Sequence, residues 1–203
     1  TIRFKGKVYL TVLRGPLYLM IMQSSIRRQM LLMRRQLSSE YIEQQTSQFN
    51  QLLNSFISPF SSVAIYAAID NELSVYSVVD HFSDSMRIAL PKINTDDNLE
   101  FVDYEDRSLW RLGKYNILEP ATDSINYIPD VYLVPLTAID SVGVRVGMGK
   151  GYYDRYLKPY QGHSVFVGVG WDFQLSSERF VVQSHDVTMD YFISPSGIVK
   201  FNA

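Results

Sequence analysis

The chain is punctuated most sharply between Arg145 and Leu157, RVGMGKGYYDRYL, where Gly147, Gly149 and Gly151 occupy alternate positions. A strand or helix built from such a run would bear the entropy cost of each glycine and gain no side-chain packing in return. The run therefore reads as a loop, and its flanks say what it joins. Upstream lie an apolar run of strand length, Val131 to Leu136, and a link from Thr137 to Val144; downstream, Gly151 onward reads as a helix start. Bare amides in a glycine loop and free N–H groups at a helix N-terminus both favour an anion, and Arg145 and Lys150 add positive charge. Strand, glycine loop and helix in this order make a phosphate cradle. The other reading of the same residues is a glycine turn with solvated charges.

Two familiar phosphate loops do not fit. A Walker A loop needs four residues between its glycine and the Gly-Lys pair, with Ser or Thr after the lysine; here five residues, Val144 to Met148, separate Gly143 from Gly149, and Gly151 follows Lys150. A dinucleotide-binding G-x-G-x-x-G fails because the third glycine comes one residue early and no acidic residue ends a second strand about 20 residues further on. Taken as a whole, Val134 to Leu157 (VPLTAIDSVGVRVGMGKGYYDRYL) resembles the signature of the 5-formyltetrahydrofolate cyclo-ligase (methenyltetrahydrofolate synthetase) family, V-P-x-x-A-x-D with R-L-G-x-G-x-G-Y-Y-D, with Val146 in place of the usual leucine. Weaker similarity runs from about Arg27 to the C-terminal region.

Composition bounds the rest. With 203 residues, 46% of them hydrophobic and 20% charged, the chain has material for one core and is too short for two ordinary domains. A net charge of −2 and a pI near 5.9 speak against a nucleic-acid surface. The absence of cysteine excludes disulfides, thiolate metal sites and a cysteine nucleophile, and suits a cytoplasmic location. Residues 1–22 carry Arg3, Lys5, Lys7 and Arg14 ahead of a short apolar stretch, Leu17 to Met22, too short for a secretory signal and with no A-x-A site after it. They are expected to be an N-terminal extension outside the fold, with Met20 or Met22 as the natural start and residues 23–203 as a single domain. No apolar run reaches 18 residues, so no membrane span is expected.

The first helix is expected to start near Ser24. Ile26 to Leu37 (IRRQMLLMRRQL) sets Ile26, Met30, Met33 and Leu37 at helical spacing, with Arg27, Arg28, Arg34 and Arg35 around them. Alone, that pattern reads as a basic amphipathic helix with a solvated charged face. Ser38 suits an N-cap with Glu40 in the first turn, opening a second helix that buries Ile42, Phe49, Leu52, Leu53 and Phe56 and ends at Pro59. Val63 to Ile69 (VAIYAAI) reads as a strand covered on both faces, followed by the acidic turn Asp70-Asn71-Glu72. Ser74 is expected to cap a helix from Val75 to Phe82, Arg87 to Leu90 to form a strand stopped by Pro91, and Leu99 to Val102 another after the polar turn Asn94 to Asn98. Asp103 to Tyr127 has no clean period; Trp110 and Tyr115 read as core cover, and Asn116 to Pro120 as a loop ahead of the central strand. Val165 to Trp171 and Tyr191 to Ile193 are the last strands. Three histidines, none at paired ligand spacing, speak against zinc.

Strands alternating with helices imply a three-layer α/β/α domain with a mostly parallel, Rossmann-like sheet and ligands at the strand C-terminal ends. The resemblance implies more. Its activity is the conversion of 5-formyltetrahydrofolate to 5,10-methenyltetrahydrofolate with ATP as co-substrate and Mg²⁺ as cofactor, releasing ADP and phosphate. Arg145, Lys150 and Tyr152 are then the expected catalytic residues. ATP would meet these three together with Arg27, Val146, Gly147, Met148, Gly149, Gly151 and Tyr153. The folate would meet Ala67, Glu72 and the loop Met148, Gly149, Lys150, Gly151 and Tyr152. Asp154 and Asp186 match the metal-binding aspartates; without the resemblance, Asp154 reads as a helix cap and Asp186 as a loop residue. Gln23 stands where the family carries a lysine. Partners are expected to be small molecules only, with the chain a monomer; the alternative is a nucleotide-responsive or folate-binding module without turnover.

Overall fold

The computed structural model describes residues 2–4, 7–9, 16–104, 110–113, 118–119 and 125–201. In chain order the elements are a ribbon of β1 (Ile2–Phe4) and β2 (Lys7–Tyr9), then α1 (Pro16–Arg35), α2 (Ser39–Ile57), β3 (Ser62–Ala64), α3 (Ser77–Phe82), β4 (Arg87–Ile93), β5 (Leu99–Asp103), β6 (Arg111–Leu112), β7 (Leu118–Glu119), β8 (Val131–Pro135), β9 (Ala138–Ile139), β10 (Arg145–Val146), α4 (Tyr152–Leu157), β11 (Val165–Val169), β12 (Tyr191–Ser194) and β13 (Gly197–Lys200). Seven strands form the central sheet in the order β13-β12-β11-β8-β3-β4-β5. The inner five are parallel, and β13 and β5 join antiparallel at the edges. Numbered among themselves, the parallel strands run 2-1-3-4-5, a doubly wound order whose direction of winding reverses between β3 and β8.

Strand periodicity divides the core between two faces. Along β8, Val131 and Leu133 join the cluster under α2 and α3, with Phe49, Leu53 and Val78, while Tyr132 and Val134 join the other cluster, with Leu157 of α4 and Phe101 of β5. Val63 against Ala64, Val167 against Phe166 and Ile193 against Phe192 divide the same way. A strand buried on both faces must be apolar throughout, which is why these segments read as continuous runs. The three-layer α/β/α architecture is therefore present. No helix among the described residues is long and apolar enough to cross a membrane.

Several elements differ from expectation for local reasons. The first helix begins at Pro16, not near Ser24; proline suits a first helical position because its missing N–H would lack a partner there anyway. The Val63 to Ile69 run pairs only to Ala64 and then continues without a ladder, apart from Ile65 N–H donating to Ala89 O at 2.8 Å. Ser74 does not cap α3: its Oγ accepts from Tyr76 N at 3.3 Å in a turn, and the helix starts at Ser77. Pro91 does not stop β4. Its nitrogen faces the β3 side, as Ala89 does, beyond the last β3 rung, so no ladder hydrogen bond is lost. The Thr137 to Val144 link contains β9, which pairs antiparallel with β10, and β13 was not anticipated. Ser38 does cap α2, accepting from Tyr41 N at 3.2 Å. Tyr115, and Asn116 to Pro120 except Leu118 and Glu119, lie outside the described residues; Trp110 is core cover, edge-on to Tyr76 and Tyr104.

Candidate functional site

A cavity of about 720 Å³ opens at the C-terminal ends of β3 and β8, on the reversal of the winding. Helices depart to opposite faces there, so the strand ends are left uncovered between them. Arg27, Ala67, Glu72, every residue from Arg145 to Asp154, and Asp186 line this one cavity. The residues singled out from sequence thus converge, although they span 160 positions, from Arg27 to Asp186, and come from α1, the segment after β3, the glycine loop, α4 and the segment before β12.

The loop is held from beneath by Asp140, which is fully buried. Its Oδ1 accepts from Val142 N and Val144 N at 3.0 and 2.9 Å, and Oδ2 accepts from Phe180 N at 2.8 Å, closing the turn between β9 and β10. At Gly143, φ is +85° and an added Cβ would meet Met189 O at 2.4 Å, so this turn requires glycine. After β10, the backbone N–H groups of residues 147–151 have no protein acceptor among the described residues. Gly149 and Gly151 sit at φ +90° and +67°. Arg27 crosses from α1, donating from Nε to Gly147 O at 2.7 Å, with its guanidinium 3.2 Å from where a Gly149 Cβ would stand. Lys150 and Met148 are exposed on the loop. Tyr152 Oη donates to Asp97 Oδ1 at 2.6 Å, joining α4 to the turn between β4 and β5.

Arg145 is not a free loop cation. Its side chain is 5% exposed, and its Nη2 donates to Asp154 Oδ1 at 2.9 Å. The same oxygen accepts from Val187 N at 3.2 Å, which puts Asp186, the preceding residue, beside Asp154. Asp154 is therefore no mere helix cap, and Asp186 is largely buried, its Oδ2 accepting from Gln183 N at 2.8 Å. No group of three or more His, Cys, Asp or Glu suited to a metal occurs among the described residues. Mg²⁺ in nucleotide sites takes one or two carboxylates and completes its shell with phosphate oxygens and water, so two aspartates are a fitting donor set. Asp154 Oδ2 accepts no hydrogen bond among the described residues, so a carboxylate oxygen remains for such a role.

The acidic turn after β3 is not solvated at Glu72. Its side chain is 9% exposed, with Oε1 accepting from Arg34 Nη1 at 3.1 Å and Oε2 from Ile69 N at 3.2 Å. Burial pushes this carboxyl above its ordinary range, and Arg34 opposes the shift. The helix phase explains the arginine. Ile26, Arg27, Met30 and Arg34 face inward on α1, whereas Met33, expected inside, is 37% exposed. Arg27 and Arg34 are seven residues apart, two helical turns, and so share a face. A count of apolar residues cannot find a buried arginine that is paired rather than solvated.

Four further titratable residues line the cavity without having been singled out: Tyr66, Lys92, Glu119 and His185. Tyr66 Oη donates to Leu73 O at 2.6 Å, and burial raises its hydroxyl well above the usual range. Burial likewise raises the Tyr153 hydroxyl, with Glu72 adding to it and Arg145 opposing. Glu119 is raised by burial against the opposing Ile93 N–H and Lys92. Tyr66 stood in an apolar run and Glu119 in a stretch without periodicity, so neither carried a local signal.

The model of the 5-formyltetrahydrofolate cyclo-ligase family matches residues 20–195. A 5-formyltetrahydrofolate cyclo-ligase of Mycoplasma pneumoniae is 30% identical over 180 residues, covering 85% of this chain and 98% of that protein. Its Escherichia coli counterpart is 31% identical over 145 residues, 68% of this chain and 79% of that one. Among solved structures, a 5,10-methenyltetrahydrofolate synthetase from Mycoplasma pneumoniae superposes with a TM-score of 0.70 at 27% identity, covering 85% of this chain and 98% of that chain. The Aquifex aeolicus 5,10-methenyltetrahydrofolate synthetase gives 0.78 at 26% identity, with 90% and 94% covered.

Proposed function

The chain belongs to the 5-formyltetrahydrofolate cyclo-ligase family, and from that membership we propose that it converts 5-formyltetrahydrofolate and ATP to 5,10-methenyltetrahydrofolate, ADP and phosphate. The observation that carries this reading is one cavity lined by two unlike sets of groups: the amides of residues 147–151, without a protein acceptor among the described residues, with Arg27, Arg145 and Lys150, and the buried carboxylate Glu72.

In the proposed reaction the formyl oxygen attacks the γ-phosphorus of ATP and ADP departs. N10 of the folate then adds to the activated formyl carbon, loses its proton, and expels phosphate as the ring closes. Phosphoryl transfer of this kind asks for alignment and charge stabilisation, with no protein nucleophile. The loop amides would hold the β- and γ-phosphate oxygens, with Lys150 as a mobile cation. Arg145, fixed by Asp154, would meet the transferring group without reorganising. Asp154 and Asp186 would hold Mg²⁺, which supplies neutralisation of phosphate charge when bound. Tyr152 would close over the junction of nucleotide and folate, and Ala67 leaves room beside Glu72, whose acceptors would take the pterin N–H donors.

A binding module without turnover is the second reading. What favours it is Gln23, at the position where the family carries a lysine: its Nε2 reaches Val181 O at 3.4 Å and brings no charge to the cavity. Absorbance at the methenyltetrahydrofolate band, with ATP and magnesium present, separates the two. Product formed one-for-one with ADP is expected; binding of both ligands with no product would leave the module.

A further inference from the structure

Glu72 is held by a device that neither the loop chemistry nor the signature motif accounts for. Arg34, 1% exposed, donates from Nε to Asp70 O at 2.7 Å and from Nη1 to Glu72 Oε1 at 3.1 Å, and its own carbonyl accepts from Asn71 Nδ2 at 3.2 Å. One residue of α1 thereby touches all three residues of the turn, its side chain holding Asp70 and Glu72 and its main-chain carbonyl holding Asn71. The turn needs such a hold, because Asp70 and Asn71 both adopt positive φ, +47° and +58°, consecutive left-handed positions that side chains resist. Trp171 Nε1 holds the turn from the other side, donating to Asn71 O at 2.8 Å.

From this arrangement we infer that Arg34 is a positioning residue for the folate. It fixes the Asp70-Asn71-Glu72 turn and keeps Glu72 a charged, oriented acceptor for the N–H donor edge of the pterin. Arg34 does not line the cavity, so it acts through Glu72 and touches no substrate. Each Glu72 oxygen already accepts one protein donor and keeps a lone pair, so the carboxylate can still accept two parallel hydrogen bonds from an aminopyrimidine edge. Of the other neighbours, the Ile69 N–H supports the negative charge. Asp70 in the same turn raises the Glu72 carboxyl, Tyr66 and Tyr153 crowd it from the segment after β3 and from α4, and Arg35 is engaged with Asp70 at 3.8 Å. Arg34 is the principal opposing influence, so its removal moves the Glu72 titration toward higher pH.

This inference depends on the proposed function for the identity of the ligand, so binding and turnover are read separately. Direct calorimetric binding of 5-formyltetrahydrofolate and steady-state turnover are measured from about pH 5 to pH 8 for the wild type, Arg34→Met, Arg34→Lys and Glu72→Gln. Arg34→Met is expected to weaken folate binding about ten- to a hundredfold, leave KM for ATP within about twofold, and move the acid limb of folate binding to higher pH. Arg34→Lys keeps a charge but cannot span two acceptors, so it should return the limb toward wild type and recover only part of the affinity. Glu72→Gln should abolish the limb. An Arg34→Met protein that binds folate normally, or that loses folate and ATP use together with the limb unmoved, overturns the inference. Should Arg34→Met not fold, wild-type folate affinity in Arg34→Lys overturns it equally. A wild type that binds the folate without product overturns only the proposed turnover; one that does not bind it overturns both.

Discussion

Arg145 and Lys150 bring like charges to one loop, yet their surroundings differ enough to separate their effects. Lys150 is exposed, and its ammonium has no ion pair among the described residues. Lys150→Ala should therefore raise KM for ATP roughly ten- to a hundredfold, the worth of one charge-assisted phosphate contact, with the thermal midpoint unmoved. Arg145→Ala should cost ATP use and stability together, about 3 kcal/mol of the latter, because it leaves Asp154 largely buried and uncompensated. Parallel melting curves and ATP kinetics check both; an unmoved KM in both variants would remove the cradle. The aspartates give a further test at this scale. If Asp154 and Asp186 hold one Mg²⁺, Asp154→Asn and Asp186→Asn should each raise the magnesium concentration for half-maximal activity. The double variant should then cost less than the sum, since residues sharing one partner do not add. Additive losses with an unchanged magnesium dependence would mean separate roles.

At the scale of elements, the β9–β10 hairpin shows where a sequence runs out of signal. It has two residue pairs, too few to display an alternation, and its stability comes from Asp140 accepting three backbone N–H groups rather than from strand propensity. Asp140→Ala would leave three backbone donors unsatisfied, two of them buried, and should cost roughly 3–5 kcal/mol in urea unfolding, with Asp140→Asn recovering a part. An equilibrium midpoint unchanged in the alanine variant would show that the turn holds itself. Long, doubly covered strands were legible for the opposite reason, since β8 and β11 are apolar throughout only because both faces are buried. Edge strands lack that constraint, and β13, mostly exposed, passed unnoticed. The phase of α1 was misjudged because its inward face spends two of its positions on arginines. Ion pairing across elements, at Arg34 and Glu72, is invisible to any local window.

For the whole molecule, the open question is where the cooperative unit begins. The resemblance puts the start of the domain at residue 23 and the family match begins at residue 20, whereas α1 runs from Pro16. Cutting after residue 15 keeps that helix whole, so midpoint and turnover should both equal the full chain's. Cutting after residue 22 makes Gln23 the first residue of a helix shortened by its first seven positions; Gln23 then falls in the turn whose N–H groups lack partners, and Arg27 is the first residue whose N–H can bond back, to Gln23 O. Ile26, Met30 and Arg34 still face inward, so the fold should survive. The anchor that suffers is Arg27 on Gly147 O, which now depends on a fraying turn to hold it over the glycine loop. A loss on the order of 1 kcal/mol there would raise KM for ATP roughly fivefold while leaving folate affinity alone, because Arg34 lies two turns further along. Urea unfolding and ATP kinetics of the two truncations decide between the boundaries. If the longer deletion is silent in both, the unit starts at residue 23; a raised KM for ATP with an unchanged midpoint assigns residues 16–22 to the nucleotide site.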